Sequence, residues 1–406
     1  MFVKWLHNLN LMFKAINRWF DKRPRKFVVP ARAVMATVLG LTLSVVLVDA
    51  LTLSTTSMFS APEKRDFQMS DLFAQIADNR PVRKYDDRIV IVNIGRGGRY
   101  EIAEALSTLS LCGPKAVGID INFADPGSDD SFLLDAISSC PNVVLPLGVG
   151  QSKENGLFKI TEKPFFFEEY PEFHYGVVNL PLTSTKGTVR EYAIDFPTEI
   201  GIIPSFVTAL AQIENPEAVK SIRNRHSDTG VTAFHSREFL TINLEEVEQY
   251  AEDLTDKIVL VGALEDSGDM HATPVKSHVA GVFLHAAAIS TVLDGVWYQK
   301  IPKSFDYIIA VSICLILMLI SYGFRNNLKG IALRILQGLL AYGVVRIGYH
   351  LYVDRNIIMD ISFTIMIVAF GFLASDIWNG LETLWKMASE KIDKLDAKYN
   401  PQLQLC

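Results

Sequence analysis

The sequence predicts an α/β domain outside the membrane, carried by four transmembrane α-helices, one before it and three after. Three observations predict this. Four apolar stretches are each long enough to cross a bilayer, basic residues collect on one side of them, and the residues between the first two stretches alternate strand and helix patterns.

A helix needs about 20 mostly apolar residues to cross the hydrocarbon core. Val34 to Leu53 meets this with one acid, Asp49, near its far end. Phe305 to Phe324 meets it as well. Ile331 to Val353 is long enough but carries Arg334 and Arg346, and Ile357 to Trp378 is the fourth stretch. Lys4, Lys14, Arg18, Lys22, Arg23, Arg25, Lys26 and Arg32 all precede the first stretch, and Arg325 and Lys329 lie between the second and third. Between the third and fourth stands only Arg355, beside Asp354. The basic residues therefore put both termini in the cytoplasm and the main domain outside it, in a bacterial inner membrane.

The organisation that follows is a basic amphipathic cytoplasmic segment at 1–32, a span at 33–53, an extracytoplasmic domain at 54–304, three spans within 305–378 and a cytoplasmic helical tail at 379–406. In residues 1–20, Phe2, Trp5, Leu6, Leu9, Phe13, Ile16 and Phe20 share one helical face. Such a helix lies on the inner leaflet, or packs on a partner or on the tail. The charged leader is too long for a cleaved signal peptide. In the tail, Leu381, Leu384, Ala388 and Leu395 make a partial heptad seam interrupted by Lys391, which suits a docking helix or a solvated stub.

Inside the extracytoplasmic domain, Ile89 to Ile94 is a continuous β-branched run and so a buried strand. Arg99 to Leu111 reads as a helix, Ala116 to Ile121 as a strand, Ser131 to Ser139 as a helix and Val143 to Leu147 as a strand. Residues 148–200 are β-rich and irregular. Pro204 to Ile213 is a helix, Lys257 to Val261 a buried strand, and Val279 to Leu293 contains a helix that leads back to the membrane.

In open α/β sheets, ligands bind beyond the carboxyl ends of the strands. Asn93 ends the first strand, Asp120, Asn122, Asp125, Asp129 and Asp130 follow the second, and Glu265, Asp266, Asp269 and His271 follow the strand at 257–261. If these strands are neighbours, the side chains converge on one rim. Two readings stand: a site for a small polar ligand or a divalent cation, or aspartates that cap helices and make Asx-turns. His271 and His285 are the obvious titratable groups; a lone histidine is more often structural, and the small residues that follow His285 suggest close packing there. The turn Gly95-Arg96-Gly97-Gly98-Arg99 sits between a strand and a helix, as a phosphate loop does, but a dinucleotide fingerprint needs glycine where Tyr100 stands. Arg96 and Arg99 could still meet an anion at the helix start.

Cys112 and Cys140 each end a helix about three residues before a strand, which would place them at one sheet edge. A disulfide and two buried thiols are both open. In the spans, Arg346 either pairs with Asp360 or reaches the outer headgroups. The net charge of −6 argues against nucleic acid as the main partner, and the four cysteines lack metal-type spacing. No nucleophile set for a hydrolase stands out, so an enzyme is not expected, and no cofactor is implied.

Six stretches carry a family resemblance: "RIVIVNI", "CGPKAVGIDINFADPGSDD", "NVVLPLGV", "GVVNLPLTSTKGTVREYAI", "DKIVLVGALEDSGDMHATPV" and "AGVFLHAAAISTVLDG". Over residues 86–295 they run in the order of the extracellular sensory domain called CHASE, type two, which the chain resembles. One span before and three after is also that family's layout. The resemblance implies an α/β extracytoplasmic sensory domain. Its members usually end in a cytoplasmic output domain, whereas only residues 379–406 follow the last span here, too few for a catalytic domain. The glycine-rich turn also replaces an acidic residue and an aromatic-proline segment that the family usually carries after its first strand. The expectation is a membrane-anchored sensor subunit that hands its signal to a separate cytoplasmic or membrane protein, in contact with membrane lipids and as part of a homo-oligomer or a larger assembly. The alternative is a structural or interaction subunit of a cell-envelope complex.

Overall fold

The computed structural model describes residues 24, 26–38, 42, 68–79, 84–151, 156–181, 187–234, 237–265, 268–323, 329–368, 376–377, 380, 383–384, 387–388 and 390–391. The amphipathic segment at 1–20, most of the first span, Asp266 and much of the tail lie outside the described residues. The chain divides into two compact units. One, the sheet unit, comprises Ala61–Lys300 with Tyr352–Ile358; the other, the helical unit, comprises Met1–Ser60, Ile301–Leu351 and Met359–Cys406.

In chain order the sheet unit runs α1 (Met69–Asp78), β1 (Lys84–Asn93), α2 (Arg99–Leu111), β2 (Ala116–Asp120), α3 (Asp130–Ser139), β3 (Val143–Gln151), β4 (Phe158–Glu162), β5 (His174–Val177), β6 (Glu191–Ala193), β7 (Asp195–Thr198), β8 (Gly201–Pro204), α4 (Phe206–Glu214), α5 (Pro216–Arg223), β9 (Thr229–Val231), β10 (Arg237–Asn243), β11 (Ile258–Gly262), β12 (Met270–His271), β13 (Val279–Ala280), α6 (Gly281–Leu293) and β14 (Gln299–Lys300). The two long helices α7 (Lys303–Gly323) and α8 (Lys329–Arg355) follow, and then β15 (Ile357–Ile358).

The main sheet has nine strands in the order β10-β1-β11-β2-β3-β4-β7-β8, with β5 also on β3. From β10 through β3 every pairing is parallel, as is β3 with β5. The last of the consecutive strands, β11, inserts between β1 and β2. Both faces of this parallel core are covered, so β1 over Ile89–Val92 and β11 over Ile258–Val261 are apolar at successive rather than alternate positions. Ile89, Ile91, Ile258 and Leu260 face a core shared with Phe206 and Leu210 of α4 and with α6. Val90, Val92, Val117, Ile119, Val259 and Val261 face the opposite core, with Ile102 and Leu106 of α2 and Leu133 of α3. The strands and helices read from the sequence are present here with ends shifted by a few residues; α1, α5, β10 and several strands of two or three residues are among the additions.

The amino-terminal edge of the sheet is held by ions. Asp86 accepts from Arg88 Nε at 2.8 Å and from the Ser290 hydroxyl, and Asp294 accepts from Arg88 at 2.8 Å and Arg237 at 3.1 Å. Arg237 also donates to Ser290 and, at 2.7 Å, to the Ala233 carbonyl. Burial alone would push the Asp86 carboxyl up, but the hydrogen bonds from Arg88 and Ser290 bring it down to about 2. A second ion pair ties α1 to the chain before β6: Arg190 donates to both oxygens of Asp71 at 2.8 Å, with both side chains buried. Nearby, Tyr352 stacks on Tyr298 with ring centroids 5.2 Å apart and lies 6.1 Å from the Phe73 ring. There β14 pairs with β15, so the segment after α8 folds as part of the sheet unit.

Cys112 and Cys140 form no disulfide. Each thiol donates instead to a carbonyl of α2, Cys140 to Leu106 and Cys112 to Thr108, both at 3.3 Å. The expected bridge is therefore replaced by the thiol alternative. Burial pushes the Cys140 thiol up to about 12, which leaves it protonated and inert.

In the helical unit, one helix among the described residues is long and apolar enough to cross a membrane, Lys303–Ile320. Residues 26–38 are helical, and Ala33 and Ala36 pack with Ala310, Cys314, Met318 and Ile367. Asp306 accepts from the backbone N–H of Phe363 and of Thr364, each at 3.1 Å, which caps the helix at 362–368. The expected Arg346–Asp360 pair is not formed: Arg346 is exposed, and Asp360 accepts from the Ser362 N–H at 3.0 Å. Arg334 and Asp376 form an ion pair.

Removing one partner of a buried ion pair strands the other, at a cost of roughly 3–5 kcal/mol. Asp71→Ala should lower the unfolding free energy of the sheet unit by that amount, read by denaturant titration of the chain in mild detergent; a loss under 1 kcal/mol would put the pair among weak surface contacts. Cys140 should resist maleimide labelling in the folded protein and react once it is unfolded, as followed by mass spectrometry without reductant.

Candidate functional site

The carboxyl ends of the parallel strands form one row. Asn243 of β10 is in register with Asn93 of β1, Asn93 with Gly262 of β11, and Gly262 with Asp120 of β2. The convergence expected from the sequence depends on β11 lying between β1 and β2, and it does.

The two halves of this row differ. On the β10–β1 half, polar groups stitch loops together. The Asn93 carboxamide oxygen accepts from the N–H of Gly95 and of Leu264, both at 3.1 Å, and its nitrogen donates to Asn243 Oδ1 at 3.3 Å. The glycine-rich turn follows, with Gly95 at φ +51°, a conformation that suits glycine. The N–H of Gly98, which a phosphate would need at the start of α2, already donates to Glu101 Oε2 at 2.9 Å. Arg99 turns away to Asp130 at 2.6 Å and to the Asp125 carbonyl, over the rings of Phe123 and Phe165. The turn is thus a self-capped helix start. Arg96, Asn122 and Asp125 are exposed, and their side chains make no hydrogen bond or ion pair with Asp120, Asp269, His271 or His285.

The β2–β11 half carries a compact acid–imidazole cluster. Asp120 ends β2, and its Oδ2 lies 4.0 Å from Nε2 of His285, which α6 presents from its first turns. The loop after β11 brings Asp269 and His271, whose Oδ1 and Nε2 are 2.9 Å apart. Asp269 also receives the Gly281 N–H at 3.1 Å, on both Oδ2 and its own carbonyl, at the positive end of α6. A Cβ at Gly281 would stand 2.2 Å from Asp269 Oδ2, so this close approach requires glycine. Burial pushes the Asp120 carboxyl up; His285 and His271 pull it back, and the charge of Asp269 adds to the rise. His285 is 4% exposed, rests edge-on against the Phe206 ring, and its Nδ1 is buried with no hydrogen-bond partner. Among the described residues no three His, Cys, Asp or Glu side chains are placed to hold a metal ion.

Of the residues read from the sequence, the fold therefore groups Asp120, Asp269 and His271, and adds His285, whose small-residue helix suggested only close packing. Residues 43–321 match the family model of the CHASE2 domain. The chain belongs to the CHASE2 family. No curated protein and no solved structure matches it. CHASE2 is a sensory, extracytoplasmic domain family, so the acid–imidazole cluster lies at the carboxyl rim of a sensory sheet. All six resembling stretches fall inside the matched region, and the three that carry β1, β2 and β11 run into this row or its loops.

An aspartate whose folded pKa is raised favours the folded state below its unfolded value, near pH 4, and loses that advantage as pH rises. Asp120→Asn should therefore raise the melting temperature of this CHASE2 protein at about pH 8 more than at about pH 4. Equal shifts at both pH values would mean that Asp120 is not buried as a strained acid.

Proposed function

We propose that this CHASE2 protein is a multi-pass membrane sensor whose extracytoplasmic domain controls a partner at the cytoplasmic face, with spans at 33–53 and within 305–378 and both termini inside. The observation that carries the reading is the pairing of β14 with β15. The chain leaves the sheet unit at Lys300, runs through α7 and α8, and rejoins the same unit at Tyr352. The two helices, 21 and 27 residues long, are each long enough for a span, since about 20 residues cross the hydrocarbon core, and α7 is also apolar enough. In the sequence, Arg325 and Lys329 lie between the two helices, where the basic-residue rule expects a cytoplasmic turn. Sensing, in this reading, is a population shift: a stimulus that favours one arrangement of the domain biases the helices joined to it.

Two measurements test the proposal. A membrane-impermeant maleimide applied to intact cells should label R355C and spare N326C until the membrane is permeabilised; the reverse pattern would overturn the topology. Purification in mild detergent should retain a cytoplasmic kinase, cyclase or other regulator in fixed stoichiometry. Retention of envelope structural proteins alone would favour the interaction-subunit reading instead.

A further inference from the structure

The stimulus is the open term in a sensor, and the rim cluster narrows it. Asp120 and His285 face each other across 4.0 Å, longer than the roughly 2.8 Å of a charge-assisted hydrogen bond, so the pair is in contact range without being closed. The second nitrogen of His285 is buried and unpartnered. The charged groups acting on Asp120 are His285 from α6 and Asp269 and His271 from the loop after β11; from α4, the neighbour of His285 is the uncharged Phe206 ring. Imidazole is the side chain that changes charge near neutral pH. With both histidines protonated the four groups are formally neutral. With both neutral, two carboxylates, one largely buried and one half-exposed, carry an uncompensated double charge.

We propose that Asp120, His285, Asp269 and His271 form a proton-binding site through which the domain reads the pH outside the cell, an inference that rests on the sensor reading above. In acid, each imidazole binds a proton, His285 closes on Asp120, and Asp269 stays clamped on the start of α6. In alkali, the carboxylates repel, and the movable partner is Asp269, which is half-exposed on a loop while Asp120 is fixed at the end of a buried strand. The described stretch at 268–271 then lifts and releases Gly281. Helix α6 extends the effect: its 13 residues span about 20 Å, from the cluster at its first turns to Ser290 and Asp294 in the amino-edge ion network. The next residues are Tyr298, stacked on Tyr352, and then β14 and α7.

Hydrogen exchange of the full chain in lipid nanodiscs, corrected for the pH dependence of intrinsic exchange, tests this without any partner. Peptides covering 263–281 should be about tenfold better protected at about pH 5.5 than at about pH 8.5, as expected for one linked proton bound about tenfold more tightly in one arrangement than in the other. β1 and β2 should not change. His285→Gln should abolish the step; His271→Gln, at a partly exposed position that leaves the core intact, should reduce it. Absence of the step in the unaltered chain, or its survival unchanged in His271→Gln and any folded His285→Gln, overturns the proton site. Either result leaves the sensor reading standing, because that reading is decided by topology and partner retention.

Discussion

A parallel sheet covered on both faces has no room for a polar side chain except at its two ends, and the rest of this molecule follows from that. Burying a Val, Leu or Ile side chain contributes about 1.5–3 kcal/mol. Ile89 to Val92 and Ile258 to Val261 are all buried, four successive residues on each of two adjacent strands. A charge at any of these positions would face desolvation without a partner. The ionisable groups of the sheet unit accordingly collect where strands stop.

The two ends are used differently. At the amino edge, Asp86, Arg88, Arg237 and Asp294 are hydrogen-bonded to one another and to Ser290, and Asp71 and Arg190 close on each other at 2.8 Å. Satisfied networks of this kind make a firm anchor, because breaking any member strands its neighbours. At the carboxyl rim, Asp120 and His285 stand apart and one imidazole nitrogen has no partner. A sensory domain needs both a region that holds and a region that can shift. Helix α6 touches both, with His285 near its start and Ser290 near its end.

Much of the sheet was legible in order because buried parallel strands are short β-branched runs flanked by helices of ordinary length. Strand β10 was not, since "REFLTIN" mixes charged and apolar residues; it lies at the sheet edge and only Phe239 and Ile242 are buried. Helix α5 announces itself only by Asn215-Pro216-Glu217, a cap followed by proline at the first helical turn. The glycine-rich turn resembled an anion site, yet Glu101 three residues on reaches back to the Gly98 N–H, a pairing that the spacing already permits. Cys112 and Cys140 were correctly placed at the ends of adjacent helices, but equal distance from a strand does not aim two sulfur atoms at each other.

The sequence by itself determined the family, the α/β pattern, the apolar stretches and the acids that end strands, because these depend on composition and on periodicities of a few residues. Only the tertiary structure decided which acids act together. Asp120 and His285 are 165 positions apart and Asp86 and Ser290 are 204 apart, and they meet because β11 inserts between β1 and β2 while α6 crosses the sheet behind them. Pairing at that separation is set by strand order, which no local pattern encodes. The same holds for Tyr298 and Tyr352, which stack where β14 and β15 pair and return the chain to the sheet unit after two long helices.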